Sequence, residues 1–256
     1  MARIHPSAVV AAGARLADDV EVGPFCTVGP DVQIGSGTRL ISHCVVDGHT
    51  TVGAGCTLFP FCSVGLQTQD LKFKGGAPKT RIGDRTVIRE SATIHAATFD
   101  GQETVVGSDC LIMAYGHVAH DCIVGDRVIM ANAATLAGHV IVEDRAIIGG
   151  LAGVHQFVRI GRLAILGGCT KIVKDVPPYM MADGNPAAVR TINKLGIERA
   201  GLGDEAQSGI KQAFRLLYRE ELNTTEALRR MEGELSAVPE VAELIRFIRS
   251  AQRGIT

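Results

Sequence analysis

The sequence predicts a mainly β protein, a parallel β-helix followed by an α-helical tail. Counting in sixes from Ile4 to Ile172 lands on Ile, Leu or Val at 25 of 29 positions, with Met130 a twenty-sixth. Neither a 3.6-residue helical period nor strand alternation alone places one aliphatic at every sixth residue over such a length, whereas stacked six-residue repeats do. The three exceptions, Asp70, Gly76 and Asp100, fall in two interruptions after which the pattern resumes in phase, so they read as insertions. Composition agrees: 30 glycines, no tryptophan and 4% aromatics leave little bulk for a globular core but suit a narrow one filled by small aliphatics.

A typical stretch runs Val22-Gly23-Pro24-Phe25-Cys26-Thr27, then Val28-Gly29-Pro30-Asp31-Val32-Gln33. The aliphatic is expected to point inward, and the glycine after it to supply turn conformations that a Cβ hinders. Six of the seven cysteines, Cys26, Cys44, Cys56, Cys62, Cys110 and Cys122, stand four residues after a core aliphatic, where other hexads carry Thr, Val or Ala. They are expected to be small packing residues.

The first insertion, about 66–81, contains Gln69-Asp70-Leu71-Lys72-Phe73-Lys74 and ends Lys79-Thr80-Arg81. Its local positive charge, in a chain of net charge −1, suits an anionic ligand at one place rather than nucleic acid over a wide surface. The second, about 97–105, is short and polar. After Pro177-Pro178 the period becomes helical: Asp204 to Glu220, Thr224 to Leu235, and a third stripe of Val241, Leu244, Ile245 and Ile248. The expected organisation is a β-helix over 1–178 and a helical region over 179–256 that caps the open end of the prism.

No zinc-finger cysteine spacing, charged-then-apolar leader or membrane-length apolar run occurs, so the expected location is the cytoplasm, with no integral membrane segment. The sequon Asn223-Thr224-Thr225 is then a chance match.

If three hexads make one coil, residues 18 apart lie above one another about 4.8 Å apart. His120 then stacks over Gly138 and Gln156, Asp121 over His139, and Ala119 over Ala137 and His155. Discounting the second insertion brings His95 above Ala119, and His117 is three residues before His120. Five of the eight histidines thus fall along one edge. An imidazole there can take a proton from a hydroxyl and return it to a leaving group; Asp121 can orient it, and Gly138 can present a backbone N–H to an oxyanion. No serine or cysteine nucleophile stands with them, so direct attack by the acceptor is expected.

The strings Ile82-Gly83-Asp84-Arg85, His117-Val118-Ala119-His120-Asp121, Leu136-Ala137-Gly138-His139, Val154-His155-Gln156-Phe157 and Asp175-Val176-Pro177-Pro178-Tyr179, in this order, resemble the hexapeptide-repeat acyltransferases. Within them they resemble the acyl-carrier-protein–UDP-N-acetylglucosamine O-acyltransferases that open lipid A biosynthesis. The resemblance implies a left-handed prism of 18-residue coils and a homotrimer with its cleft between subunits. It implies His120 as general base on the glucosamine 3-hydroxyl, or a 3-amino group in variant sugars, with a 3-hydroxyacyl carrier protein as donor. Asp121 would hold His120, and Gly138 would serve the oxyanion. His95, His117, His139, His155 and Gln156 would line the sugar-nucleotide and acyl site, with Asp70 and Lys72 as ligand contacts. No cofactor is implied. Gly168, stacked beneath Gly150, matches the position that limits acyl length; without a side chain it implies a longer chain. In the tail segment that contacts the nucleotide in relatives, Asn193 and Arg199 match, whereas Leu195 and Ala200 depart from the pattern.

A zinc carbonic anhydrase on the same prism would use His117, His120 and His139. The related N-acyltransferases carry a domain before the repeat, which this chain enters at Ile4. An ice-binding β-helix predicts regular Thr ladders, but here the threonines are scattered.

Overall fold

A computed structural model describes residues 1–256. Short strands, mostly of two residues, alternate with tight turns and stack into three sheets of eleven, nine and eight strands, parallel throughout except for the last strand of the first. Arg3 pairs with Glu21, Val9 with Thr27 and Arg15 with Gln33, so a coil without an insertion takes 18 residues and gives one strand to each sheet. The coils wind as a left-handed parallel β-helix.

The hexad aliphatics fill the prism: Leu40, Leu58, Ile88, Ile112, Leu136 and Ile148 are fully buried in one continuous core. The six in-phase cysteines are buried in that core as free thiols, whereas Cys169, out of phase, is exposed.

The glycine that follows the core aliphatic has a different role from the one expected. The left-handed turn positions are filled mostly by other residues, among them Phe61, Arg85, Tyr115, Asp121 and His139. Gly23 and Gly107, by contrast, are not at positive φ. A Cβ at Gly23 would lie 1.8 Å from the Ile41 carbonyl oxygen, and one at Gly107 2.6 Å from Gly125 carbonyl carbon. Glycine is required there because the next coil passes too close for a side chain.

Both insertions leave the corner between the second and third sheets. The first joins Ser63–Leu66 to Lys79–Ile82, and the second joins Thr93–His95 to Glu103–Val106. The flanking strands lengthen into the insertions, and Thr50, Thr80 and Thr104 stack in register.

The sheet continues beyond Pro178. The strand Met180–Gly184 adds a rung to the first sheet, with Ile165 paired to Met181, and returns as Ala187–Ile192, a hairpin the sequence reading lacked. Helix α1 (Lys194–Arg199), also unexpected, is followed by α2 (Asp204–Tyr218), α3 (Thr224–Glu234) and α4 (Pro239–Arg249). The apolar faces of α2, α3 and α4 meet in a second core around Phe214, Met231, Leu244 and Phe247, which also takes in Met180 at the prism end. Arg162 clamps α4 to the prism: it pairs with Glu243, which also accepts a hydrogen bond from the buried Tyr179 hydroxyl.

Candidate active site

The second-to-third-sheet corner carries the chemistry-bearing side chains because three successive turns stack there. The His139 N–H donates to the His120 carbonyl at 3.0 Å, and the Phe157 N–H to the Gly138 carbonyl at 3.2 Å. Asp121, His139 and Phe157 occupy equivalent left-handed positions, with φ of 60°, 61° and 65°, which turn their side chains outward from the corner.

His120 and Asp121 form the tightest pair: Nδ1 lies 2.8 Å from Asp121 Oδ2, with the carboxylate buried and the imidazole nearly so. The backbone amide of Asp121 is held by the Thr104 hydroxyl at 2.8 Å. A carboxylate only accepts, so Nδ1 carries the proton and Nε2, which makes no hydrogen bond within the chain, keeps its lone pair. His139 meets His120 edge-on at 5.2 Å and approaches Asp121 Oδ2 with its Nε2 at 3.7 Å. It is fixed from the other side by Phe157, whose ring is stacked on it at 4.6 Å.

Gly138 lies against the imidazole. A Cβ there would fall 2.3 Å from His120 Cε1 and 2.5 Å from Nε2, so only glycine lets the ring take this position. The Gly138 N–H donates to nothing in the chain. Along another corner the comparable amides of Ser108 and Asp126 are each held by an aspartate of the next coil, at 2.7 and 2.9 Å. An unspent donor beside an unspent base suits an oxyanion and the hydroxyl that generates it.

His95 and His117 form a second pair, rings 5.0 Å apart and edge-on. Burial depresses both: His117 falls to about 4, helped by His95 and His120, and His95 is lowered by burial and by His120. Both imidazoles are therefore neutral near pH 7. His117 Nδ1 is 2.6 Å from the Thr93 hydroxyl. The three imidazoles of the zinc reading do not converge: the groups lying within 4.8 Å of one another are His120, Asp121 and His139, and His117 is turned to Thr93 and His95. The three-histidine site that a zinc carbonic anhydrase needs is not formed, and that alternative is not supported.

The first insertion folds back to this corner. Asp70 Oδ1 accepts the Lys72 backbone N–H at 3.0 Å, and Oδ2 accepts from the Thr98 hydroxyl at 3.3 Å. The Lys72 amide bond, opposed by desolvation and aided by His120, Thr98 and the Lys72 ammonium, holds Asp70 below the usual carboxylate range. Lys72 is exposed, with its ammonium in no ion pair.

Other expected residues are not brought to this cluster. His155 and Gln156 lie on the same corner, one coil on, but both are exposed, and His155 Nδ1 meets only the Gln156 carbonyl at 3.1 Å. Gly168 is exposed at the first-to-second-sheet corner, where its Cβ would lie 3.3 Å from the Gly150 carbonyl. Asn193 is buried and engaged as the α1 cap: its Nδ2 donates to the Leu163 carbonyl at 2.8 Å and its Oδ1 accepts from Gly196 at 3.0 Å. Arg199 is exposed and lines a cavity of about 300 Å³ with Arg145, Leu195 and Ala200 over the first sheet. Sequence reasoning missed Thr98 and Thr104, both fully buried. Thr98 opens the second insertion three residues after His95, and that position was its only signal.

The family model described as UDP N-acetylglucosamine O-acyltransferase, domain 2, matches residues 175–256. An acyl-[acyl-carrier-protein]–UDP-N-acetylglucosamine O-acyltransferase of Thermodesulfovibrio yellowstonii is 45% identical over 256 residues, covering 100% of this chain and 99% of that one. That of Saccharophagus degradans is 43% identical over the same span. Among solved structures, LpxA from Acinetobacter baumannii superposes with a TM-score of 0.95 at 42% identity, covering 99% of each chain. That from Bacteroides fragilis superposes with a TM-score of 0.96 at 37% identity, also covering 99% of each.

Proposed function

The chain belongs to the acyl-[acyl-carrier-protein]–UDP-N-acetylglucosamine O-acyltransferase family, and on that premise we propose how its residues perform the transfer. The protein is an acyltransferase of lipid A biosynthesis, moving a 3-hydroxyacyl group from acyl carrier protein to the glucosamine 3-hydroxyl of UDP-N-acetylglucosamine. The observation that carries the residue assignment is the His120–Asp121 pair, 2.8 Å apart through Nδ1, with Nε2 unspent beside the free Gly138 amide.

His120 Nε2 accepts the proton of the sugar hydroxyl as its oxygen attacks the thioester carbonyl. Asp121 stabilises the imidazolium that forms, and the Gly138 N–H donates to the oxyanion. Collapse breaks the carbon–sulfur bond, and the proton on Nε2 passes to the departing sulfur. The products are the 3-O-acylated sugar nucleotide and the free carrier thiol, with His120 restored. No protein nucleophile intervenes.

Asp70 and Lys72 bind the sugar nucleotide, together with the neutral His95 and His117, while His139, His155 and Gln156 line the rest of the cleft. A second copy of the chain completes it. Gly168, Asn193 and Arg199 lie away from the His120 corner within one chain, and a homotrimer brings them to a neighbour's histidines. An exposed apolar column supports such packing: Phe25, Phe61, Tyr115 and Leu151, all at least 60% exposed, climb the first-to-second-sheet corner beside Gly168. The reaction takes place in the cytoplasm; no helix is long and apolar enough to cross a membrane.

The test is transfer from a panel of 3-hydroxyacyl carrier proteins to UDP-N-acetylglucosamine, with its 3-amino analogue alongside. Acylation at the 3-position is expected, and its absence with every donor refutes the reading.

A further inference from the structure

We infer that Thr98 is a positioning residue that links the ligand-binding Asp70 to the base His120 and sets which ring nitrogen is free to react. The inference rests on His120 being the base. Thr98 is fully buried at the start of the second insertion and touches every acidic or basic group of the dyad. Its backbone N–H donates to Asp121 Oδ1 at 3.2 Å, the oxygen that His120 does not use. Its hydroxyl donates to Asp70 Oδ2 at 3.3 Å, and its oxygen lies 3.0 Å from His120 Nδ1.

The hydrogen-bond directions follow from what each group can offer. An ionised Asp70 only accepts, so it takes the Thr98 proton, and the hydroxyl lone pair then faces Nδ1. Asp121 Oδ2 is the other neighbour of Nδ1 and also only accepts. Both neighbours demand a proton on Nδ1, which leaves Nε2 as the base, turned to Gly138. With the hydroxyl gone, one of two restraints on the ring is lost. With Asp70 neutralised to an amide, Thr98 can turn its proton toward Nδ1 and favour the wrong tautomer. Thr98 thereby ties occupancy of the first insertion to the readiness of the base.

The experiment measures steady-state transfer by Thr98→Val, Thr98→Ala, Thr98→Ser, Asp70→Asn, the Thr98→Val/Asp70→Asn double variant and His120→Ala. Thr98→Val and Thr98→Ala are expected to lower kcat roughly tenfold to a hundredfold, the scale of a misplaced catalytic group. KM for the sugar nucleotide should stay within about twofold, because the hydroxyl faces protein groups. Thr98→Ser should restore kcat to within about threefold, and the double variant should be no slower than the slower single, since both break one chain. Alanine removes the hydroxyl without placing a second methyl beside Asp70, so the result does not depend on valine fitting. A wild-type kcat in Thr98→Val and Thr98→Ala, a loss confined to KM, failure of serine to rescue, or additive effects with Asp70→Asn would each overturn the inference. His120→Ala separates the two readings: if it is inactive while Thr98→Ala is not, only this inference fails, and if it keeps most of its rate, the base assignment fails first.

Discussion

Replacing Gly138 by alanine tests the site at its tightest point. The new Cβ would stand 2.3 Å from His120 Cε1 and 2.5 Å from Nε2, about an ångström inside ordinary van der Waals contact. The opposing atoms belong to a ring held at Nδ1 by Asp121 at 2.8 Å and by Thr98 at 3.0 Å, so the imidazole cannot yield without stretching both bonds. A shift of that size in a base is expected to lower kcat on the order of a hundredfold. Alanine keeps the backbone N–H, so the loss reports displacement of the ring rather than removal of the oxyanion donor. The core is untouched, because Leu136 and Val140 on either side keep their inward contacts, and the melting temperature should move little. The control is Gly153→Ala one coil on, where a Cβ meets nothing within 4 Å and the rate should match the parent. Steady-state transfer with saturating acyl carrier protein, read beside thermal melting, decides it. A Gly138→Ala enzyme with kcat within threefold of the parent refutes the argument that glycine is there for the ring.

Three further expectations follow from the same geometry. His117 is pushed from 6.5 to about 4 by burial and its imidazole neighbours, so the unfolded chain binds its proton first on acidification. The stability this group contributes is present above about pH 6.5 and is lost as pH falls toward 4, on the order of 1–2 kcal/mol once screening is discounted; melting temperature against pH should show a shallower decline in His117→Gln, and an unchanged slope refutes the assignment. Lys72→Ala, which removes an exposed and unpaired ammonium, should raise KM for the sugar nucleotide about tenfold or more while changing kcat less, and the opposite pattern reassigns the residue to chemistry. Gly168→Met should shift preference toward shorter 3-hydroxyacyl donors, since the unsubstituted position is exposed at the surface; a chain-length series unaltered by methionine places the acyl tail elsewhere.

Much of the fold was legible because its period is local. A six-residue repeat needs only the inward position of each hexad, and that position reads directly as Ile, Leu or Val. The three main tail helices were legible for the same reason, each showing its own apolar stripe. The hairpin Met180–Ile192 was not, because its first strand is held by pairing with Ile165 and Leu166, a long-range register with no periodic signal. Helix α1 is six residues long and depends on its Asn193 cap, too short to show a stripe. Stacking by 18 placed Asp121 over His139 and His120 over Gly138 and Gln156, but not which side chains would touch.

By itself the sequence determined the six-residue repeat, the phase of its core and the edge along which its histidines gather, since a regular solenoid converts residue number into height and face; the size of the coil and its hand came from the family resemblance. Tertiary structure alone decided that those histidines divide into the neutral pair His95 and His117, a pair around Asp121 formed by His120 and His139, and the solitary exposed His155. It also decided that Thr98 joins Asp70 to His120, and that Gly138 is present because a ring from the coil before it fills the space of its side chain. These depend on rotamers, on insertions folding back and on ångström-scale contacts between coils, which a hexad pattern leaves free.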